Sequence, residues 1–538
     1  MKRTNRFILA GLLLLAAGCA RMRYVPVVGD PIIRVGIVED QDAIYFEPQN
    51  EFTVLSYEEK ENFRALEKGL WKATIHSLIP NALQYQIQLY ESLEATRADE
   101  RARQYRSRGM AVVLKNQGEQ LQAGDKMLID RTYHRVLLDR NFASAEEAET
   151  YLRSSNSLAG GRVVRSLDDV VMGKIALQSP SSRTTIITQA LRITGANVIL
   201  RDVEVGSGYH WARNEARTYG GEMELRISAK GKLTAINVVP LELYLRGVVA
   251  GEMANTFPDE ALKAQAIISR TMFLNSFGRV HRGAEFDVCD DVHCQAYVGI
   301  ARNSEAVDKA VSGTKGLVLT WHDELCSASY SAMCGGHTAN AAEVWDGGGE
   351  PYLKGLLDTR TPIGQFDLSK EENARIWVRS RPDVCCNLEA AGHPDFGKYA
   401  EKYFRWVERI PRVELEKSIA EYAGTSIGQL VDIVPLHRGV SGRLVSINCV
   451  GTEESVQVRK ELNIRRALSK STLYSSCFTI EKEGVKNGLA ETFVFRGAGW
   501  GHGVGLCQLG AGVRAQKGET VSEILAWYYP GTQIKQLY

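Results

Sequence analysis

Beyond the first twenty residues, no stretch brings together the roughly 18 uninterrupted apolar residues that a membrane-spanning helix needs, so the body of the chain is expected to work outside the bilayer. Neither charge sign is in excess. The 65 Lys and Arg residues against 64 Asp and Glu leave a net charge of +1, which argues against a broad surface built for nucleic acid and leaves room only for a local basic patch. The depleted apolar content of a disordered chain is absent too, since 44% of residues are hydrophobic and 24% charged. With 538 residues, the chain has the length of about three or four domain-sized units.

What is present begins with an export signal. Lys2, Arg3 and Arg6 precede the apolar run Phe7 to Ala17, too short to span a bilayer, which ends in Ala16-Ala17-Gly18 and Cys19. Leu15-Ala16-Ala17-Gly18-Cys19 resembles a bacterial lipobox, with Ala rather than Leu three places before the cysteine. That resemblance implies lipidation of Cys19 and a chain tethered to a membrane by lipid, in the cell envelope. The alternative is an ordinary secretory signal with a chance cysteine. Setting Cys19 aside, the ten cysteines leave nine, so at least one stays unpaired within a monomer even under oxidising conditions.

The expected organisation is α+β in several parts. Residues 20–81 read as a strand-rich segment, with Ile32 to Val38, Ile44 to Phe46 and Phe52 to Leu55 as strands. Over 82–156, two strand-helix-strand halves suggest a ferredoxin-like module, and Ser144 with Glu147 form a capping box for its second helix. Tyr85-x-Ile87-x-Leu89, Arg135-Val136-Leu137 and Phe142-x-Ser144-x-x-Glu147-Ala148 resemble the SPOR peptidoglycan-binding domain. A linker over 157–183 leads to the chemistry-bearing unit, 184–538, with an insertion near 371–397.

Leu241 to Met253 has a helical period that puts Leu241, Leu245, Val248 and Glu252 on one stripe. A carboxylate thus stands where a hydrophobe belongs. Burial there would raise its pKa, as a general acid working near neutral pH requires; the alternative is that Glu252 lies past the helix end in solvent. Glu242 and Arg246 flank the stripe as an i,i+4 pair at a cleft edge. In the next helix, opened by Pro258, the polar Gln265, Arg270 and Thr271 sit beside the apolar face of Leu262, Ala266 and Phe273.

Cys289-x-x-x-His293-Cys294 packs two thiols and an imidazole into six residues. These donors suit Zn²⁺, with a fourth ligand from water or another segment; a disulfide between Cys289 and Cys294 is the competing reading. Glycines at 497, 499, 501, 503 and 505 alternate, so an extended segment would show one bare edge and project Trp500 and His502 from the other. The spacing is not that of a dinucleotide loop, because His502 occupies the third glycine position. Nor does Ser329-Tyr330-Ser331 sit in a Gly-x-Ser-x-Gly elbow, so Tyr330, Ser331 and the later Thr338 are expected as cleft-lining hydrogen-bonding groups rather than nucleophiles. The adjacent Cys385 and Cys386 cannot easily bond each other, and each needs a distant partner or stays free.

Together these segments resemble the SpoIID/LytB family: Leu241-Glu242-x-Tyr244-Leu245-Arg246-Gly247-Val248-Val249-x-Gly251-Glu252-Met253, Phe257-Pro258-x-Glu260-Ala261-Leu262-Lys263-Ala264-Gln265-Ala266, Cys294-Gln295-x-Tyr297-x-Gly299, Gly335-Gly336-His337-Thr338 and Gly499-Trp500-Gly501-His502-Gly503-Val504-Gly505-Leu506-x-Gln508. The resemblance implies a lytic transglycosylase acting on peptidoglycan glycan strands stripped of stem peptides, with Glu252 as the catalytic acid. Gln508, Trp500 and His502 would join the other polar residues on the substrate, and zinc would position rather than hydrolyse. The runner-up it allows is a noncatalytic enhancer of a cell-wall amidase, with Glu252 in its motif favouring the enzyme; a zinc hydrolase built on the Cys/His cluster is a distant third. Denuded glycan carries little charge, so recognition should rest on aromatic and hydrogen-bonding groups and depend weakly on salt.

Overall fold

Ile33, Val35 and Ile37 alternate with more polar neighbours, and Val35 and Ile33 are fully buried, as a strand covered on one face requires. In the computed structural model, which describes residues 29–56, 62–65, 67–79, 84–165, 172–188, 190–347, 349–361, 363–364 and 366–538, this run is the strand Ile32–Gln41. It pairs antiparallel with Leu233–Pro240, Ile33 opposite Val239, and parallel with Val288–Cys289 on its other side. The export signal and Cys19 lie outside the described residues.

The fold is α+β, and the chain divides into two compact units: Leu78–Gln117 with Thr132–Met172, and Val28–Ser77 with Gly118–Arg131 and Gly173–Tyr538. In the first, strands Tyr85–Ser92, Val112–Gln117, Tyr133–Leu138 and Arg162–Arg165 make an antiparallel sheet in the order fourth, first, third, second. Helices Ala95–Ser107 and Ala145–Arg153 bury Ala98, Ala102 and Ala148 against Ile87, Val136 and Phe142. Ser144 caps the second helix by accepting from the Glu147 N–H at 3.1 Å. The reciprocal half of the expected box is displaced by one residue: the Glu147 carboxylate accepts from the Ala143 N–H.

The second unit departs from the sequence reading at both ends. Strands of the 20–81 segment enter its sheets: Ile32–Gln41 and Phe52–Ser56 share a seven-stranded sheet with Leu233–Pro240, Glu222–Ile227 and Ala190–Thr194, while Ala43–Pro48 and Trp71–Ile79 pair in a six-stranded sheet with Val198–Val205. Long-range antiparallel pairing leaves no mark in local pattern, which is why the two segments read as separate. Toward the other end, the added structure extends well past 397. Two three-stranded sheets, Trp406–Pro411 with Thr492–Gly497 and Phe478–Glu483, and Leu430–Arg438 with Leu444–Gly451 and Ser455–Arg459, close with helices Arg412–Ala423 and Glu461–Ala467 over a core of Trp406, Leu415, Ile447, Phe478 and Phe493.

The alternating glycines are not an extended strand. Gly499, Gly501, Gly503 and Gly505 have φ of 82°, 98°, 78° and 69°, so every second residue is left-handed and the segment coils back on itself. Gly503 shows why no other residue serves. A Cβ there would lie 2.4 Å from Cζ of Arg443, a buried guanidinium that donates to the carbonyls of Cys334 (3.2 Å), His337 (3.4 Å) and Gly501 (3.3 Å). Gly503→Ala is expected to cost at least about 2 kcal/mol, from left-handed strain plus the displaced arginine. Urea midpoints at an unchanged m-value would show it; a loss below about 0.5 kcal/mol, the usual size of a neutral surface change, would contradict this account of the loop.

Candidate functional site

Leu233–Pro240 runs straight into the helix Leu241–Glu252, whose Leu241, Leu245 and Val248 are fully buried. Glu252 closes that stripe as the last helical residue and is half-buried. Gly251 lets the neighbouring segment come close, since a Cβ there would lie 2.5 Å from the Ala296 carbonyl oxygen. As a result the Ala296 N–H donates to Glu252 Oε1 at 3.0 Å. Gln508, opening the helix Gln508–Gln516, donates to Oε2 at 3.4 Å, and Tyr330 is a third hydrogen-bond partner. Desolvation pushes the Glu252 carboxyl upward against the opposing pull of these three donors. Its immediate partners are neutral, so the group is poised to exchange a proton.

Four of the expected substrate residues, Gln508, Tyr330, Gln265 and His502, serve this carboxyl directly or from behind. Gln265, fully buried, accepts from Gln508 at 3.2 Å and donates to Ser269 at 2.9 Å, orienting the Gln508 amide. Tyr330 Oη lies 3.2 Å from Gln295 Oε1 and also within reach of Glu252, so its single proton serves one of these two acceptors at a time. His502 accepts from the Val504 N–H at Nδ1, 3.0 Å, which leaves its other nitrogen to carry the proton toward the Tyr330 backbone. Burial lowers its pKa to about 4, so it is neutral at physiological pH and braces the strand that holds Tyr330.

Others are committed to packing. Arg270 is fully buried and spends its guanidinium on Glu242, at 2.8 and 2.7 Å, and on the Leu317 carbonyl. Glu242 is therefore a buried partner of Arg270 and not the exposed i,i+4 partner of Arg246, which faces Asp308 instead at 3.4 Å. Thr271 donates to the Ile267 carbonyl and accepts from the Leu319 N–H, and Thr338 exchanges two hydrogen bonds with the Leu356 backbone. Ser331 is buried beside Gly501. These placements correct the expectation that Arg270, Thr271 and Thr338 face a glycan, because buried polar groups must satisfy one another and the helical pattern cannot tell that from a cleft.

Trp500 is half-buried in an aromatic group: Tyr403 lies 4.5 Å from it between ring centroids and Trp211 5.9 Å edge-on, with Tyr209 stacked on Trp211 at 4.5 Å. Beside it a cavity of about 500 Å³ is lined by His210, Arg409, Glu414, Lys417, Lys470 and Tyr474. Tyr209, Trp211 and Tyr403 escape the sequence reading because they come from segments distant along the chain.

The metal candidates acquire a fourth member. His281, Cys289, His293 and Cys294 offer donor atoms all within 4.8 Å of one another. His281 Nε2 is 3.2 Å from both Cys294 Sγ and His293 Nδ1, and His293 Nδ1 is 3.7 Å from each sulfur. Tetrahedral Zn²⁺ with bonds of about 2.0 Å to nitrogen and 2.3 Å to sulfur spaces its ligands by about 3.3–3.8 Å, so the cage fits. Both thiols are free. Four protein donors leave no open position, which suits a structural ion rather than a hydrolytic one. Hydrogen bonds from Cys294 and the two histidines hold the Cys289 thiol well below the usual thiol range. The cage borders the site directly, since Gln295 and Ala296, the next two residues, meet Tyr330 and Glu252.

Residues 229–321 match the family described as Stage II sporulation protein, and residues 339–505 one described as a domain of unknown function (DUF8618). The chain is 29% identical to an amidase enhancer of Bacillus subtilis over 54% of its own length and 40% of that protein's. It is 27% identical to stage II sporulation protein D of Bacillus amyloliquefaciens over 56% of its length and 76% of the other's, and 28% identical to an uncharacterised protein of Brachyspira hyodysenteriae over 68% of the latter. The chain thus spans well under half of the amidase enhancer, and no described helix is long and apolar enough to cross a membrane. Residues 229–321, which carry Glu252, Gln265 and the four-donor cage, are a SpoIID-family domain.

Proposed function

We propose that this protein is an envelope lytic transglycosylase that cleaves denuded peptidoglycan strands between MurNAc and GlcNAc. The observation that carries the reading is Glu252: one half-buried carboxyl, raised by desolvation, among the neutral partners Ala296, Tyr330 and Gln508. Hydrolytic glycosidases generally use two carboxyl groups, the second to supply a nucleophile or activate water. Here the sugar supplies its own. Glu252 donates its proton to the glycosidic oxygen as the C1–O bond breaks; the C6 hydroxyl of the same MurNAc attacks C1 and returns its proton to Glu252, closing a 1,6-anhydro ring without net consumption of water. Proximity of the hydroxyl replaces the second group. The aromatic group around Trp500 offers sugar-ring platforms, consistent with weak dependence of binding on salt. Zn²⁺ in the His281/Cys289/His293/Cys294 cage would hold the loop that bears Gln295 and Ala296. Export with a lipid on Cys19 would keep the enzyme at the wall, and the 82–156 module would add glycan affinity.

A second reading rests on the relative named an amidase enhancer: a wall-binding partner that accelerates a separate amidase. Peptidoglycan incubated with the full chain, with and without prior amidase treatment, distinguishes them. Anhydro-muramyl ends that accumulate only after amidase treatment are the expected result. Faster release of stem peptides by added amidase, with no new glycan ends, would overturn the enzyme reading in favour of the second.

A further inference from the structure

A second sulfur cluster stands apart from the His281 cage. Cys334, Cys386 and Cys507 offer sulfurs all within 4.8 Å of one another, with Cys334 and Cys386 at 3.6 Å, and none of the three is more than 2% exposed. They come from distant places: Cys334 just past the Tyr330–Ser331 strand, Cys507 at the end of Leu506–Cys507, and Cys386 from the segment that the sequence marks as inserted. All three thiols are free.

Backbone N–H groups serve two of the three sulfurs, and a buried acid lies against one of them. The Cys334 and Gly510 N–H groups donate to Cys507 Sγ at 3.3 and 3.4 Å, and the Gly336 N–H donates to Cys334 Sγ at 3.3 Å. The half-buried Arg405 lies close enough for its charge to couple to Cys386 and Cys334, and its buried Nη2 has no hydrogen-bond partner among the described residues. Asp358, fully buried, brings Oδ2 to 3.6 Å from Cys334 Sγ while Tyr528 and Arg514 fix its position.

We propose that Cys334, Cys386 and Cys507 form a second metal site for one thiophilic d¹⁰ cation, Zn²⁺ or Cu⁺. Three thiolates alone satisfy trigonal Cu⁺, whereas tetrahedral Zn²⁺ would recruit a fourth donor, for which the Asp358 carboxylate, 3.6 Å from Cys334 Sγ, is a candidate. Binding releases the thiol protons to solvent and changes no oxidation state. The site lies behind the reaction centre: Tyr330 and Ser331 pair in parallel with Leu506 and Cys507, and Gln508 follows directly. The cation would pin together the two strands that present Tyr330 and Gln508 to Glu252 and fasten the Cys386 segment to them.

The test is metal stoichiometry of the full chain, purified without chelator or nickel, by native mass spectrometry and elemental analysis. Two equivalents per wild-type chain are expected, falling to one in Cys294→Ser and to one in Cys386→Ser. Metal-free protein titrated separately with Zn²⁺ and with Cu⁺ identifies the cation, and a second tight equivalent of either supports the site. One equivalent at most in the wild type, no change in Cys386→Ser, or a Cys334–Cys386 disulfide in non-reducing peptide maps would overturn it. The wild-type count holds even if a variant misfolds.

Discussion

Glu252→Gln is expected to lower release of anhydro-muramyl ends from denuded strands by about 10²- to 10⁴-fold, the range that general acid–base catalysis supplies. The substitution keeps size and burial and removes only the proton that is donated and recovered. KM should change little, because the partners of Glu252 are backbone and amide groups that a glutamine still satisfies in part. A kcat within threefold of wild type, on pure strands checked for anhydro ends, would end the assignment.

The same variant carries a second signature in stability. Burial raises the Glu252 carboxyl above its ordinary 4.5, so the folded state binds that proton more tightly than the unfolded chain. The stability it contributes is complete below the ordinary carboxylate range and is lost as pH rises through the folded value. Glutamine bears no such penalty. Glu252→Gln should therefore melt higher than wild type at neutral pH and converge with it in acid, while wild-type kcat/KM declines as pH rises through the raised value. An exposed carboxylate would show neither trend.

Glu252 is legible from sequence because helical period is local: a polar residue on the stripe of Leu241, Leu245 and Val248 stands out within one window. The partners that make it useful are not. Ala296 and Gln508 lie 44 and 256 residues away along the chain, and the Ala296 contact is through a backbone N–H that no side-chain pattern reports. His281 was missed for a related reason. It sits in a turn after the Asp259–Ser276 helix, outside the six-residue Cys/His run, and joins the cage only because Val288–Cys289 docks on the N-terminal strand. Arg270 misleads in the opposite direction, since a buried Arg–Glu pair and a substrate-facing arginine produce the same helical pattern. The Cys385-Cys386 pair stood out as unusual but mute until Cys334 and Cys507 arrived from elsewhere in the fold.

Loss of the ion expected in the His281/Cys289/His293/Cys294 cage should produce the largest structural effect. A ligand held at 1,000 times its Kd contributes about 4 kcal/mol to the folded state, and at about 1 °C per kcal/mol for a unit this large its removal lowers Tm by about 4 °C. The loss is not confined to stability. The cage ends at Cys294, and the next two residues hold Tyr330 and Glu252, so a slack loop withdraws the Ala296 N–H and lets Glu252 drift from the glycosidic oxygen. Misplacement of about 1 Å can cost 10²-fold in rate; kcat should therefore fall, while KM should change far less if the aromatic group around Trp500 is the sugar platform proposed above. His281→Ala tests this without disturbing the Cys334/Cys386/Cys507 cluster: it should lose one equivalent of metal, melt lower and turn over slowly on denuded strands. His281→Cys, which restores a fourth donor, should recover metal, Tm and kcat together. If His281→Ala retains its metal, or loses it with Tm and kcat unchanged, the cage has no part in placing Glu252 and the loop must be held by its pairing with the Ile32–Gln41 strand alone.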